Sequence, residues 1–184
     1  MHQLLDGSAR AAAERAVALI EVLQPHGDID LSVAAAEVRG VLVAYGEPEP
    51  LQLTLADVQH LRAVAGELWD VFAAPSTAEA VRVVNVLLAR HATVPRLTDH
   101  QGRTPWHLHV DRTDDEPWPD WFAASTTMAL ANLLAEHQAN PVGLCASSKC
   151  GRPFLVSVSS RRYCSTRCGT RERVAQHRRA AAPG

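Results

Sequence analysis

Cysteine is missing from the first 144 of the 184 residues, which excludes a disulfide framework for the main core. Long apolar runs are missing too. No stretch approaches the ~20 consecutive apolar residues of a membrane span, and the opening residues lack the basic flank and apolar segment of a secretory leader, so the expected location is the cytoplasm, without a membrane role. There is no glycine-rich phosphate loop, no nucleophile elbow and no H-E-x-x-H zinc-protease motif, and the expectation is a protein that is not an enzyme. Lysine is nearly absent: Lys149 is the single lysine among 18 basic residues. Aromatic residues make up only 5%, yet a hydrophobic share of 47% is enough to bury a real core.

What is present divides by charge. From Cys145 onward there are nine Lys or Arg and one acid, Glu172, whereas the preceding part holds nine basic residues against nineteen acids. A compact segment this basic suits a polyanion, and the acidic part repels one.

Hydrophobic periodicity predicts a mostly helical acidic part. Residues 8–24 place Ala13, Ala16, Val17, Ile20 and Leu23 on one stripe, with Ser8 as a candidate N-cap and Pro25 to Gly27 as the stop. Leu31 to Tyr45 is a weaker helix. Thr54 and Asp57 read as a capping-box variant before Val58, Leu61, Val64, Ala65, Leu68 and Phe72. Another helix runs from Ala80 to about His91, and one from about Asp120 to His137 turns Phe122, Ala129, Leu130, Leu133 and Leu134 inward. Between these two helices, Leu97 to His100 and Trp106 to Asp111 flank a Gln101-Gly102 turn and predict a hairpin. Its apolar residues Trp106, Leu108 and Val110 alternate with His107, His109 and Asp111. Neither histidine has a cysteine or carboxylate at a metal-ligand spacing, so the pair reads as an exposed strand face. Trp69, Trp106, Trp118 and Trp121 read as core aromatics. Asn140 to Gly143 marks a boundary, giving an acidic domain of residues 1–140 and a basic module of residues 141–184, with a frayed tail at Ala180 to Gly184.

All the cysteines lie in that basic module. Cys145, Cys150, Cys164 and Cys168 form C-x4-C, thirteen residues, then C-x3-C. Four thiolates satisfy the tetrahedral preference of Zn²⁺ and leave no open position, which points to a folding role. A module of ~40 residues with few large apolar side chains needs such a staple. An iron or iron–sulfur centre, two disulfides or four ordinary thiols are the alternatives. Ser165 reads as the N-cap of a helix over 165–179, so Cys164 and Cys168 flank a helix start that favours thiolates. Phe154 to Val158 reads as a short strand. The arrangement is treble-clef or ribbon-like.

Arg161 and Arg162 precede the second cysteine pair; Arg167, Arg171, Arg173, Arg178 and Arg179 follow it on the helix, with Arg167, Arg171 and Arg178 on one face. Guanidinium groups held this way suit phosphate contacts and guanine edges, making nucleic acid the first candidate partner. Docking of the arginines on the acidic part, or a solvated charged face, competes with it.

The run from Cys145 to Phe154 and the run from Ser159 to Arg179 resemble the zinc finger of the bacterial CGNR family, whose name-giving tetrapeptide reads here Cys168-Gly169-Thr170-Arg171. The preceding part is similar to that family's helical ABATE domain, notably at Val94 to Leu97 and Trp106 to Val110. The resemblance implies a stress-induced transcriptional regulator with four cysteine zinc ligands, a DNA-contacting finger, and a larger domain that senses a small-molecule effector or pairs subunits. Thr170 stands where the motif has asparagine, Val156 where an aspartate is common, and Glu21-Val22 where the family often shows Asn-Thr. The fold expected is mainly α with a small hairpin plus the zinc module, and the function is DNA-binding regulation. A protein-interaction adaptor, or a small-molecule-binding domain with an accessory finger, is the alternative. A single finger binds weakly, so a homodimer is expected.

Overall fold

The chain is described from a computed structural model, which covers residues 2–156 and 161–181. Among these described residues, six helices and two short antiparallel hairpins follow one another in the order α1 (His2–Leu23), α2 (Leu31–Ala44), α3 (Leu55–Ala73), α4 (Thr77–His91), β1 (Arg96–Thr98), β2 (His107–His109), α5 (Trp118–His137), β3 (Val142–Leu144), β4 (Pro153–Leu155) and α6 (Thr166–Ala181).

Local signals set most of the boundaries. The Thr54–Asp57 capping box forms in full, with the Asp57 amide donating to Thr54 Oγ1 at 3.1 Å and the Thr54 amide donating to Asp57 Oδ2 at 2.8 Å. Asp30 caps α2 by accepting from the Ser32 amide at 2.8 Å, and Ser76 caps α4 by accepting from the Glu79 amide at 3.2 Å. Helix α1 ends where Gln24 turns left-handed (φ 41°) just before Pro25. Its start differs from the expectation: the helix begins at His2, and Ser8 lies inside it. The segment before Ser8 has no proline, and its one glycine, Gly7, costs only ~1 kcal/mol in a helix, too little to stop it.

Helix α5 is the centre of the acidic part and packs against α1, α3 and α4. Phe122 and Leu130 on α5 are fully buried, as are Ala13, Ala16 and Ile20 on α1 and Val58 and Ala65 on α3. Trp69, Trp118 and Trp121 lie partly buried against this core, as the sequence suggested, whereas Trp106 is 69% exposed.

The first hairpin pairs Arg96 with His109, Leu97 with Leu108 and Thr98 with His107. Within the paired strands its polarity is the reverse of the expected one. Leu97, Trp106 and Leu108 face outward, while His107, His109 and Thr98 turn inward and Asp111 is buried; Val110, just beyond β2, is buried as an apolar residue would be. The physical reason is ion pairing: Arg96 donates to Asp111 Oδ1 at 2.6 Å and pairs with Asp114 at 2.8 Å, which draws the polar face in.

The second hairpin pairs Val142 with Leu155 and Leu144 with Pro153. It lies between two cores. Val142 joins the large helical core, with α1 against β4 and α3 against β3, while Phe154 belongs to a small cluster with Cys145 and Cys168. Strand β4 is shorter than expected, and Val158, the last residue of the expected strand, lies outside the described residues, as do 182–184 of the tail.

Candidate metal centre and basic helix

Short local turns bring the four cysteines together. Cys145 leaves β3 with its amide bonded to the Arg152 carbonyl at 2.9 Å, and the Cys150 amide returns to the Ser147 carbonyl at 2.9 Å, closing a tight knuckle. Gly151 completes it with a φ of 66°, a left-handed conformation that side chains rarely adopt. The second pair sits at the start of α6, where Ser165 Oγ accepts from the Cys168 amide at 3.2 Å, the expected N-cap. Gly169 sits close to Tyr163: a Cβ there would lie 3.3 Å from its ring, a tight contact. Supplying the second pair from a helix N-terminus is the treble-clef arrangement.

The sulfur geometry fits zinc. All four Sγ atoms lie within 4.8 Å of one another, and the Cys150–Cys164 and Cys164–Cys168 separations are both 3.7 Å. Ligands about 2.3 Å from a tetrahedral Zn²⁺ stand about 3.75 Å apart. All four cysteines are free, so the disulfide alternative is excluded. The cluster around them consists of Phe154, Val156 and Tyr163 with the cysteines themselves, too small a core to hold without a metal.

The thiols are shifted in opposite directions: the Ser165 hydrogen bond draws Cys168 down to about 7, whereas burial pushes Cys150 up and Cys164 up to about 12. Zn²⁺ with four thiolates leaves a net charge of about −2. Arg171 faces it, its Nη2 standing 3.5 Å from Cys168 Sγ and 2.7 Å from Ser147 Oγ. Ser147 in turn donates to Glu172 Oε1 at 2.8 Å, and Ser148 donates to the same oxygen through its amide and hydroxyl, each at 3.1 Å. The single acid of the basic module is therefore a clamp on the first cysteine knuckle, and the Ser147 bond holds its carboxyl below the usual range. Glu172 and Ser147 were not singled out from the sequence; an isolated acid in a strongly basic stretch was the available signal.

The arginines divide by position. Arg161 donates to the Tyr163 carbonyl at 3.0 Å and to the Cys164 carbonyl, and lies over the Phe154 ring at 5.4 Å, so it buttresses the metal centre. Arg171 shares a helix face with Arg167 and Arg178, but is half-buried and turned to the knuckle. Arg162, Arg167, Arg173, Arg178 and Arg179 are exposed. Among the described residues, no ion pair joins an arginine of α6 to the helical part; the pair that crosses is Arg152–Glu21 at 2.9 Å. A cleft of about 410 Å³ opens beside it, lined by Arg10, Glu14, Glu21, Tyr45, Phe154 and Arg161 among others.

A second cluster contradicts the reading of His107 and His109 as an exposed strand face. Together with His100 they bring three imidazoles onto one side of the first hairpin, their ring centroids 4.7–5.0 Å apart. All three are partly buried. His100 arrives through the turn, where His100, Gln101 and Gly102 all have positive φ. The i, i+2 spacing of His107 and His109, with Asp111 two residues further on, was the sequence signal; the third ring was hidden because it comes from across the turn.

Among the described residues, no helix is long and apolar enough to cross a membrane. No curated protein matches the chain. Residues 142–181 match the family described as CGNR zinc finger, and residues 2–139 match the ABATE family, described as "Putative stress-induced transcription regulator". The finger's description agrees with the sulfur geometry in naming Zn²⁺ as the metal of the Cys145, Cys150, Cys164 and Cys168 centre. With both parts matched, the chain belongs to the ABATE family and carries a CGNR zinc finger.

Proposed function

We propose that this protein is a cytoplasmic DNA-binding transcriptional regulator, in which residues 141–184 contact DNA and residues 1–140 carry the regulatory and subunit-pairing role. The observation that carries the reading is the free basic surface beside a metal-fixed helix. Arg162, Arg167, Arg173, Arg178 and Arg179 are exposed, and none of the five makes an ion pair with the acidic part among the described residues. These five contact phosphates, while Arg161 and Arg171 hold the zinc knuckle that aims them. Zinc has a structural role: with four thiolates there is no open position for chemistry.

A small polar effector fits the cleft between α1 and the second hairpin, where it would touch both parts of the chain. A second copy is assigned to the outward apolar face of the first hairpin, because Leu97, Trp106 and Leu108 are exposed there and one finger alone binds weakly. Sedimentation at micromolar concentration is expected to give a dimer; monomer alone would remove that part of the proposal.

The test of the whole is selection from fragmented genomic DNA with the full chain. Enrichment of a shared sequence supports the regulator. Retention of all fragments equally, or of none, leaves a protein-interaction adaptor in its place.

A further inference from the structure

The three histidines of the first hairpin are arranged as metal ligands. His100 Nε2 lies 3.2 Å from His107 Nε2, which lies 2.9 Å from His109 Nε2. Nitrogens about 2.0–2.1 Å from a tetrahedral Zn²⁺ stand about 3.3 Å apart, so the three converge at nearly coordinating distance.

The other ring nitrogens determine which atoms carry protons. His107 Nδ1 is 2.8 Å from the Pro105 carbonyl, which only accepts, so this nitrogen bears the hydrogen. His109 Nδ1 is 2.8 Å from Asp111 Oδ2, and His100 Nδ1 is 3.5 Å from Asp114 Oδ1. Both carboxylates are held by Arg96, and Asp114 also accepts from Thr98 Oγ1 at 3.2 Å. His107 and His109 therefore donate through Nδ1 and turn bare Nε2 lone pairs toward each other, while His100 Nε2 stands beside that of His107 and its Nδ1 faces the Asp114 carboxylate. Facing lone pairs repel, whereas a metal cation satisfies all three nitrogens. Carboxylate and carbonyl partners on the distal nitrogens are also what orients metal-ligating histidines.

We infer that His100, His107 and His109 bind a divalent first-row transition metal, Zn²⁺ foremost, as a second metal site separate from the cysteine centre. Neutral imidazole ligands suit this class of cation and disfavour Ca²⁺ or Mg²⁺. Three protein ligands leave a fourth position, which takes water or an anionic oxygen donor, so this site binds exchangeable ligand where the cysteine centre cannot. Asp111, Asp114 and Arg96 are positioning residues. Bound metal ties the turn carrying His100 to strand β2. The inference does not depend on DNA binding.

The test is metal analysis of the full chain after equilibration with zinc and removal of free ion. Wild type is expected to hold about two zinc per chain and His107→Ala about one, with the cysteine site unaffected. Co²⁺ substitution separates the sites, because sulfur-to-metal charge-transfer bands belong to the cysteine centre and persist in the variant. If His107→Ala does not fold, long-range ¹⁵N NMR of the wild type gives the same answer: zinc shifts the three Nε2 resonances and leaves Nδ1 protonated. One zinc per chain in wild type, or Nε2 resonances that saturating zinc does not move, overturns the inference.

Discussion

Arg171 and Arg178 share one face of α6, yet their replacement is expected to fail in different ways. Arg178 is exposed, whereas Arg171 donates to Ser147 and faces Cys168 Sγ at 3.5 Å. If the five exposed arginines each neutralise one phosphate, the logarithm of the affinity falls against the logarithm of salt with a slope of about −4.5 per chain. That is a loss of about 500-fold between roughly 50 and 200 mM salt. Arg178→Ala removes one contact, so the slope moves to about −3.6 and binding at about 0.1 M salt weakens about eightfold, or ~1.2 kcal/mol, on any sequence. Its zinc content stays at the wild-type level. Arg171→Ala removes the cation facing the thiolate centre, so faster loss of zinc to a chelator comes first and DNA binding falls with the metal. Fluorescence titrations of labelled duplexes across a salt series, with metal content measured on the same samples, separate the two. A salt slope that Arg178→Ala leaves unchanged would refute the phosphate assignment, and zinc retention unaltered by Arg171→Ala would refute the role given to that side chain.

Glu172→Gln keeps the size of the clamp but weakens what Ser147 and Ser148 donate to, so chelator-driven zinc loss should accelerate while Arg173→Ala, on the exposed side of the same helix, leaves it unchanged. Phe122→Ala empties a fully buried position on the central helix and should lower stability by about 3–5 kcal/mol in urea denaturation. Glu67 titrates below its ordinary range: burial pushes it up, but hydrogen bonds from His91 and Arg90 outweigh that. Its stabilising contribution is therefore present above the unfolded glutamate pKa of about 4.3 and lost as pH falls through the lower folded value, so Glu67→Gln should lose less stability than wild type on acidification, read by thermal melts across pH.

Features set by neighbours in sequence were legible, and those set by distant partners were not. Thr54 and Asp57 are three residues apart, so their capping box could be read directly, as could the inward stripe of α5 from Phe122 to Leu134. The zinc ligands were legible because their spacing is the chemistry. The first hairpin's polarity was not, since alternation gives two faces and does not say which turns inward; Asp111 and Arg96, fifteen residues apart, decide it through an ion pair. His100 was hidden for a related reason, since it meets His107 only once the turn has folded back. Arg171 looked like its neighbours Arg167 and Arg178, and only the knuckle twenty-four residues earlier distinguishes it.

The most direct test of the regulator reading is DNA binding by the zinc-loaded full chain beside Cys164→Ser, on fragments recovered from genomic selection, with zinc measured in both. Selective binding that is lost together with the cysteine-site zinc is the expected result; selective binding that persists in a variant shown to lack that zinc, or its absence from the fully loaded wild type, would contradict the assignment of DNA recognition to the finger.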